Sequence, residues 1–209
     1  MNTFTKHMLR AALCLATLCI GRSASAQLLP DSYFNIDWQV NMPLGKSFAD
    51  KTSGWGMNFE GGYFVTPEVA VGAFISFHTN LEKISRTTLA LNSGSSLTAV
   101  QEHAVFQLPF GVTARYQWLP DSVVQPYAGL KLGAEFAQFS SYYSVVKSYT
   151  DTWGFFLSPE LGVSIFPRPD YRVGFHVAVY YSYATNHGRV LSYSADGLNN
   201  FGIRVGVSF

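Results

Sequence analysis

Ionisable side chains recur in this sequence at positions that share one side of an alternating pattern. Asp37, Glu60, Glu135 and Glu160 supply acids, and Arg115, Lys131, Arg172 and Arg204 supply bases, with His176 as a further member. Acids and bases gathered on one face suit mutual pairing, because burying a lone ion costs several kcal/mol. Counted along their stretches, Asp37 and Arg204 form one expected pair, and Lys131, Glu160 and His176 a second group. The expected product is a structural ion network that plugs an interior. The competing reading sends some of these side chains to a solvated rim.

Catalytic chemistry finds little support. The sequence holds no G-x-S-x-G, no H-E-x-x-H and no Gly-rich phosphate loop. His78, His103, Ser182 and His187 stand nearest to a catalytic set, yet no Ser–His–acid spacing joins them. A lone His176 on the polar face reads as a hydrogen-bonded filler. No catalytic, cofactor-binding or metal-binding residue is expected, and no cofactor.

The elements that must position these groups are strands. Period-two alternation runs from about Tyr33 to Met42, Gly54 to Phe64, Val69 to His78 and Ala104 to Trp118. It continues over Pro126 to Phe139, Trp153 to Phe166, Tyr171 to Tyr183 and Phe201 to Phe209. Each stretch is long enough for the roughly 9–11 residues a tilted strand needs to cross hydrocarbon. Pro109 and Pro159 fall inside two of them, where a bulge or a missing ladder bond is expected.

The apolar faces carry bulk such as Trp38, Trp55 and many Phe, whereas the polar faces carry Gly72, Gly111, Gly133, Gly162, Gly202 and Gly206. A barrel of eight strands has interior room only for side chains, so the small residues belong inside and the bulk outside. A soluble lipocalin-like barrel reverses these sides and would put a very large apolar patch in water. The sequence therefore reads as an all-β, eight-stranded antiparallel up-and-down transmembrane β-barrel. Aromatics band both strand ends, with Phe34, Tyr63, Tyr116 and Trp118 near the turns and Trp55, Phe136, Trp153 and Tyr181 near the loops. Short turns at Thr66–Glu68, Leu119–Gln125 and Pro167–Asp170 alternate with longer segments at Pro43–Ser53, Thr79–His103, Ser140–Thr152 and Ala184–Asn199. That asymmetry puts turns on the periplasmic rim and loops outside.

The start of the chain reads as an export signal. Lys6, His7 and Arg10 precede the apolar run Ala11–Ile20 and an A-x-A site ending at Ala26. Residues 1–26 are expected to be cleaved, leaving 27–209 as one barrel domain. Cys14 and Cys19, the chain's 2 cysteines, lie in the removed piece, so the mature chain would have no thiol. A formal net charge of +1 gives no sign of a nucleic-acid partner.

With these features in hand, the chain resembles the small eight-stranded outer-membrane barrels of OmpA, OmpX and OmpW type. The resemblance rests on the signal segment, the eight alternating stretches, the loop asymmetry and the terminal aromatic Phe209. It implies a place in the outer membrane of a Gram-negative cell, surrounded by lipid and lipopolysaccharide. It implies that the barrel-assembly machinery reads Phe209, and Gln27 after the cleavage site is similar to exported proteins of the Bacteroidota. Three roles stay open: an interaction or structural barrel acting through surface loops, above all Thr79–His103, with an unknown partner; a narrow passage or pore for small solutes, hydrophobic ones included; and a lipid A-modifying enzyme.

Overall fold

The computed structural model describes residues 31–44, 48–90, 96–143, 146–167, 173–190 and 193–209. The expected signal segment 1–26 and Arg172 lie outside them. Eight strands form: β1 (Ser32–Pro43), β2 (Gly56–Phe64), β3 (Val69–Ala90), β4 (Ser96–Gln117), β5 (Val124–Tyr143), β6 (Val146–Ile165), β7 (Gly174–Val190) and β8 (Tyr193–Ser208). Each pairs antiparallel with its neighbours, and β8 closes onto β1, so the sheet is a barrel without an edge. The seam ends at the C-terminus, where Phe34 and Phe209 exchange backbone hydrogen bonds of 3.0 and 2.8 Å. Closure matters because lipid offers no partner to an open strand edge.

Alternation sets which side chains enter. Along β7, burial and exposure alternate without a break from Gly174 to Val190. Outward apolar residues stay open: Trp38 is 53% exposed and Phe175 63%. Inward polar residues are shut away, Asp37, Glu135 and His176 completely so. That inversion is stable in hydrocarbon and unstable in water.

The strands are longer than the alternating stretches predict. Thr79–His103, expected as a loop, is mostly ladder: β3 and β4 stay paired up to Ala90 and Ser96, past a register shift between Ile84 and Thr87. Ser140–Thr152 and Ala184–Asn199 likewise continue β5–β6 and β7–β8 as paired strands. The reason is that the signal sought was an apolar face. Above the lipid the outward face turns polar while the backbone keeps pairing, and cross-strand bonds such as Thr88 Oγ1 to Thr98 Oγ1 at 2.8 Å support it.

Both prolines are met by missing ladder pairs, with no change of register. Pro109 leaves a gap in the β3–β4 ladder between Ile75–Phe110 and His78–Gln107. Pro159 leaves one in the β6–β7 ladder between Leu157–Tyr183 and Glu160–Tyr180. There the Ser158 hydroxyl donates to the Tyr181 carbonyl at 2.7 Å, replacing the N–H that proline lacks.

Candidate functional site

The barrel interior is where charged chemistry collects. Its periplasmic half is crossed by ionic contacts, all but one of them between strands that are not neighbours. Glu60 on β2 accepts from Arg115 on β4 at 3.1 Å and forms an ion pair with Lys131 on β5 at 2.6 Å. Lys131 also reaches Glu160 on β6 at 3.0 Å and Asn58 Oδ1 at 3.3 Å. Arg204 on β8 pairs with Glu160 and donates through Nε to Gln39 at 3.2 Å. Asp37 meets His176 Nδ1 at 2.5 Å, and the other ring nitrogen lies 2.6 Å from the Tyr127 hydroxyl.

The structure thus brings Asp37, Glu60, Arg115, Lys131, Glu160, His176 and Arg204 together. It regroups the expected pairs: Arg204 joins Glu160, and Asp37 joins His176 across the β1–β8–β7 side. Glu135 stands apart. Its carboxylate is buried, and neither oxygen has a hydrogen-bond partner among the described residues. Its inward position on β5 lies above Lys131 and one inward step above the Gly133–Phe156 rung, where the lining has become apolar.

Tyrosines complete the network. Tyr33 donates to Glu60 at 2.8 Å and Tyr127 to Glu160 at 2.5 Å. The Arg115 guanidinium lies 3.7 Å from the Tyr127 ring centre and 4.2 Å from that of Tyr33; Arg204 lies 3.9 Å from that of Tyr180. Such stacking favours arginine over lysine at these places. The rings fit because glycine faces them: a Cβ at Gly162 would stand 2.6 Å from the Tyr127 ring, and one at Gly202 would collide with Tyr180.

Toward the outer rim the filling changes. Phe74, Val105, Ala137, Phe139, Phe156, Ala184 and Leu198 form an apolar cluster inside the barrel. Phe48, from the segment joining β1 to β2, inserts into it, with its ring 5.5 Å from Phe139 and 4.6 Å from His103. Beside this cluster run amides: Asn41 donates to Asn80 at 2.8 Å and to Asn200 at 3.1 Å, and Asn200 on β8 donates to Gln107 on the opposite strand β4 at 3.1 Å.

Sequence reasoning missed the inward tyrosines and this apolar layer. A signal existed for part of it: Ala73-Phe74-Ile75 and Phe155-Phe156-Leu157 are unbroken apolar runs, where alternation fails because both faces are apolar. Phe48 lies in a segment with no period, so nothing marked it.

The catalytic candidates do not assemble. His78 and Ser182 are buried on inward faces, and His187 is exposed with Nδ1 2.9 Å from the Thr185 carbonyl. His103 Nδ1 lies 3.1 Å from Ser141 Oγ, a hydroxyl–imidazole pair shut beneath Phe48. No group of His, Cys, Asp and Glu among the described residues is arranged to hold a metal ion.

Comparison with known proteins places this architecture. A family model described as the outer membrane protein beta-barrel domain matches residues 11–209. The chain belongs to that family. Among solved structures it is similar to Neisserial surface protein A, at 15% identity and TM-score 0.55, over 85% of this chain and 95% of that one. It is also similar to Ail, the attachment invasion locus protein of Yersinia pestis, at 13% identity and TM-score 0.46, over 86% and 98%. At these identities the likeness concerns the fold. No curated protein matches the chain. The protein is therefore an outer-membrane β-barrel of the Gram-negative envelope, set in lipid and lipopolysaccharide.

Proposed function

We propose that this barrel is a closed structural scaffold that holds its outer strand extensions away from the membrane for contact with a surface or a protein partner. The observation that carries the reading is the set of side-chain contacts spanning the lumen, Lys131–Glu60 in the ionic half and Asn200–Gln107 in the outer half. A lumen crossed in this way suits rigidity and leaves recognition to the outer rim. Acting as an enzyme is disfavoured, because a substrate would have to displace Phe48 to reach Ser141 and His103.

The test is excision of Thr87–Ala99 with Asn-Gly put in its place. The expected result is loss of cell-surface adhesion while the barrel keeps its heat-modifiable mobility in gels. Unchanged adhesion with a folded barrel would overturn the reading. Phe209 is proposed as the assembly signal, supported by its place at the closing seam. Phe209→Ala should lower the assembled fraction in membranes several-fold, and normal assembly would refute the role.

One observation favours a passage for small apolar solutes. The ladder break at Pro159 leaves a depression of about 420 Å³ in the lipid-facing wall, bordered by Leu161, Val179 and Phe201. Glu160 and Tyr180 form its inner side, so traffic through it requires the ionic network to part.

A further inference from the structure

Outside the barrel, on the wall formed by β3 to β6, the outward side chains change character over a few rungs. The rung Leu108–Phe136–Trp153 is wholly apolar, and Trp153 packs on Phe136 at 5.3 Å between ring centres. This is the upper edge of the hydrocarbon belt. One outward step higher the rung reads Thr79–Phe106–Gln138–Asp151, with Gln138 donating to Asp151 at 2.7 Å. The next reads Leu81–Ala104–Ser140–Tyr149, and the one above it Lys83–Glu102–Tyr142–Lys147.

The middle rung is low because Ala104 and Ser140 are small. The result is a depression of about 450 Å³ on the outer wall. Ser140 points outward yet is only 3% exposed, so it forms the floor. Hydroxyl, amide and carboxylate groups of Thr79, Gln138 and Glu102 ring this floor, with Tyr142 and Phe106 as apolar surfaces. Polar groups that both donate and accept, beside an aromatic face, suit a sugar ring.

Two cations flank the depression. Lys147 is held beside the rings of Tyr142 and Tyr149, at 5.4 and 5.2 Å from their centres. Lys83 stands at the other edge, three strands away, about 14 Å by ordinary strand spacing. That separation is of the order of a disaccharide bearing a phosphate at each end. Acyl chains leaving such a headgroup toward the membrane would run down over Phe136 and Trp153.

We propose that this depression binds the phosphorylated disaccharide headgroup of the outer-leaflet glycolipid, the lipid A portion of lipopolysaccharide. The sugar lies over Ala104 and Ser140, and the phosphates meet Lys83 and Lys147. The site is independent of the adhesion reading, since it faces sideways into the leaflet and uses no residue of Thr87–Ala99.

The test is native mass spectrometry of the purified protein in detergent, titrated with bisphosphorylated lipid A, dephosphorylated lipid A or phosphatidylglycerol. The expected result is retention of bisphosphorylated lipid A at least tenfold above phosphatidylglycerol. Ala104→Trp, which fills the floor, should abolish that preference, and Lys83→Gln with Lys147→Gln should bring both forms of lipid A to equal, weaker retention. The lysine variant alters only exposed side chains and keeps the experiment decisive if the tryptophan variant folds poorly. Equal retention of lipid A and phosphatidylglycerol, or a preference unchanged by the lysine variant, would overturn the proposal. So would displacement of lipid A by a soluble sulfated oligosaccharide, which would assign the depression to a surface polysaccharide.

Discussion

Arg204 shows at single-residue scale how the interior is held. Its guanidinium pairs with Glu160, stacks on Tyr180 and donates to Gln39, all within the wall-enclosed lumen. Removing one member of a buried pair strands the other, which costs more than the pair contributes. Arg204→Met should therefore destabilise the barrel by about 3–5 kcal/mol, read from urea unfolding in lipid vesicles. Replacing Glu160 by Leu in the same chain should recover part of that loss, although Lys131 would then lose one of its acids. A single-variant loss well under about 1 kcal/mol would mean that Arg204 reaches water instead. These ionic residues were legible in the sequence because a charge on the polar side of a strand can point only one way. Of their partners, Lys131 with Glu160 was legible and those of Arg204 and Asp37 were not, since tilt around a closed sheet moves each residue's height. Arg204 consequently meets Glu160 on β6, and Asp37 meets His176. Tyr127 and Tyr180 were hidden for another reason: an aromatic residue gives no sign of which face it serves until the facing Gly162 and Gly202 are known.

At the scale of the strand, β6 carries the most informative irregularity. Pro159 interrupts the β6–β7 ladder, and Ser158 restores the bond to the Tyr181 carbonyl with its own hydroxyl. An unsatisfied carbonyl in this setting costs about 1–3 kcal/mol. Ser158→Ala should carry a loss of that size in the natural chain and a much smaller one in a Pro159→Val background, where a backbone N–H returns. A double-mutant cycle of unfolding free energies measures the difference; equal losses in both backgrounds would show that the hydroxyl does not serve the carbonyl. The sequence placed both prolines in strands and left open whether a bulge or a lost bond absorbs them. It could not choose, because the choice depends on what Ser158 reaches. Strand ends were also beyond it: β3 and β4 continue past the last apolar residue, held by backbone pairing that needs no hydrophobic face.

Across the whole molecule, two fillings share one lumen. Ion pairs and tyrosines occupy the periplasmic half, and an apolar cluster capped by Phe48 occupies the outer half. An ion entering from outside meets aromatic and aliphatic side chains packed across the lumen beside a chain of hydrogen-bonded amides, then a network of paired charges, and the two layers together leave it no open path. The barrel, its inward and outward faces and its membrane placement were readable from period, glycine and aromatic bands, which are properties of every strand. The outer filling was not, because it depends on Phe48 folding inward from a connecting segment. The most direct measurement is planar-bilayer recording of the purified barrel at high salt. The account predicts no resolvable conductance steps, with steps emerging only when Phe48 and Lys131 are both replaced by Ala. Steady unitary currents through the natural chain would contradict it.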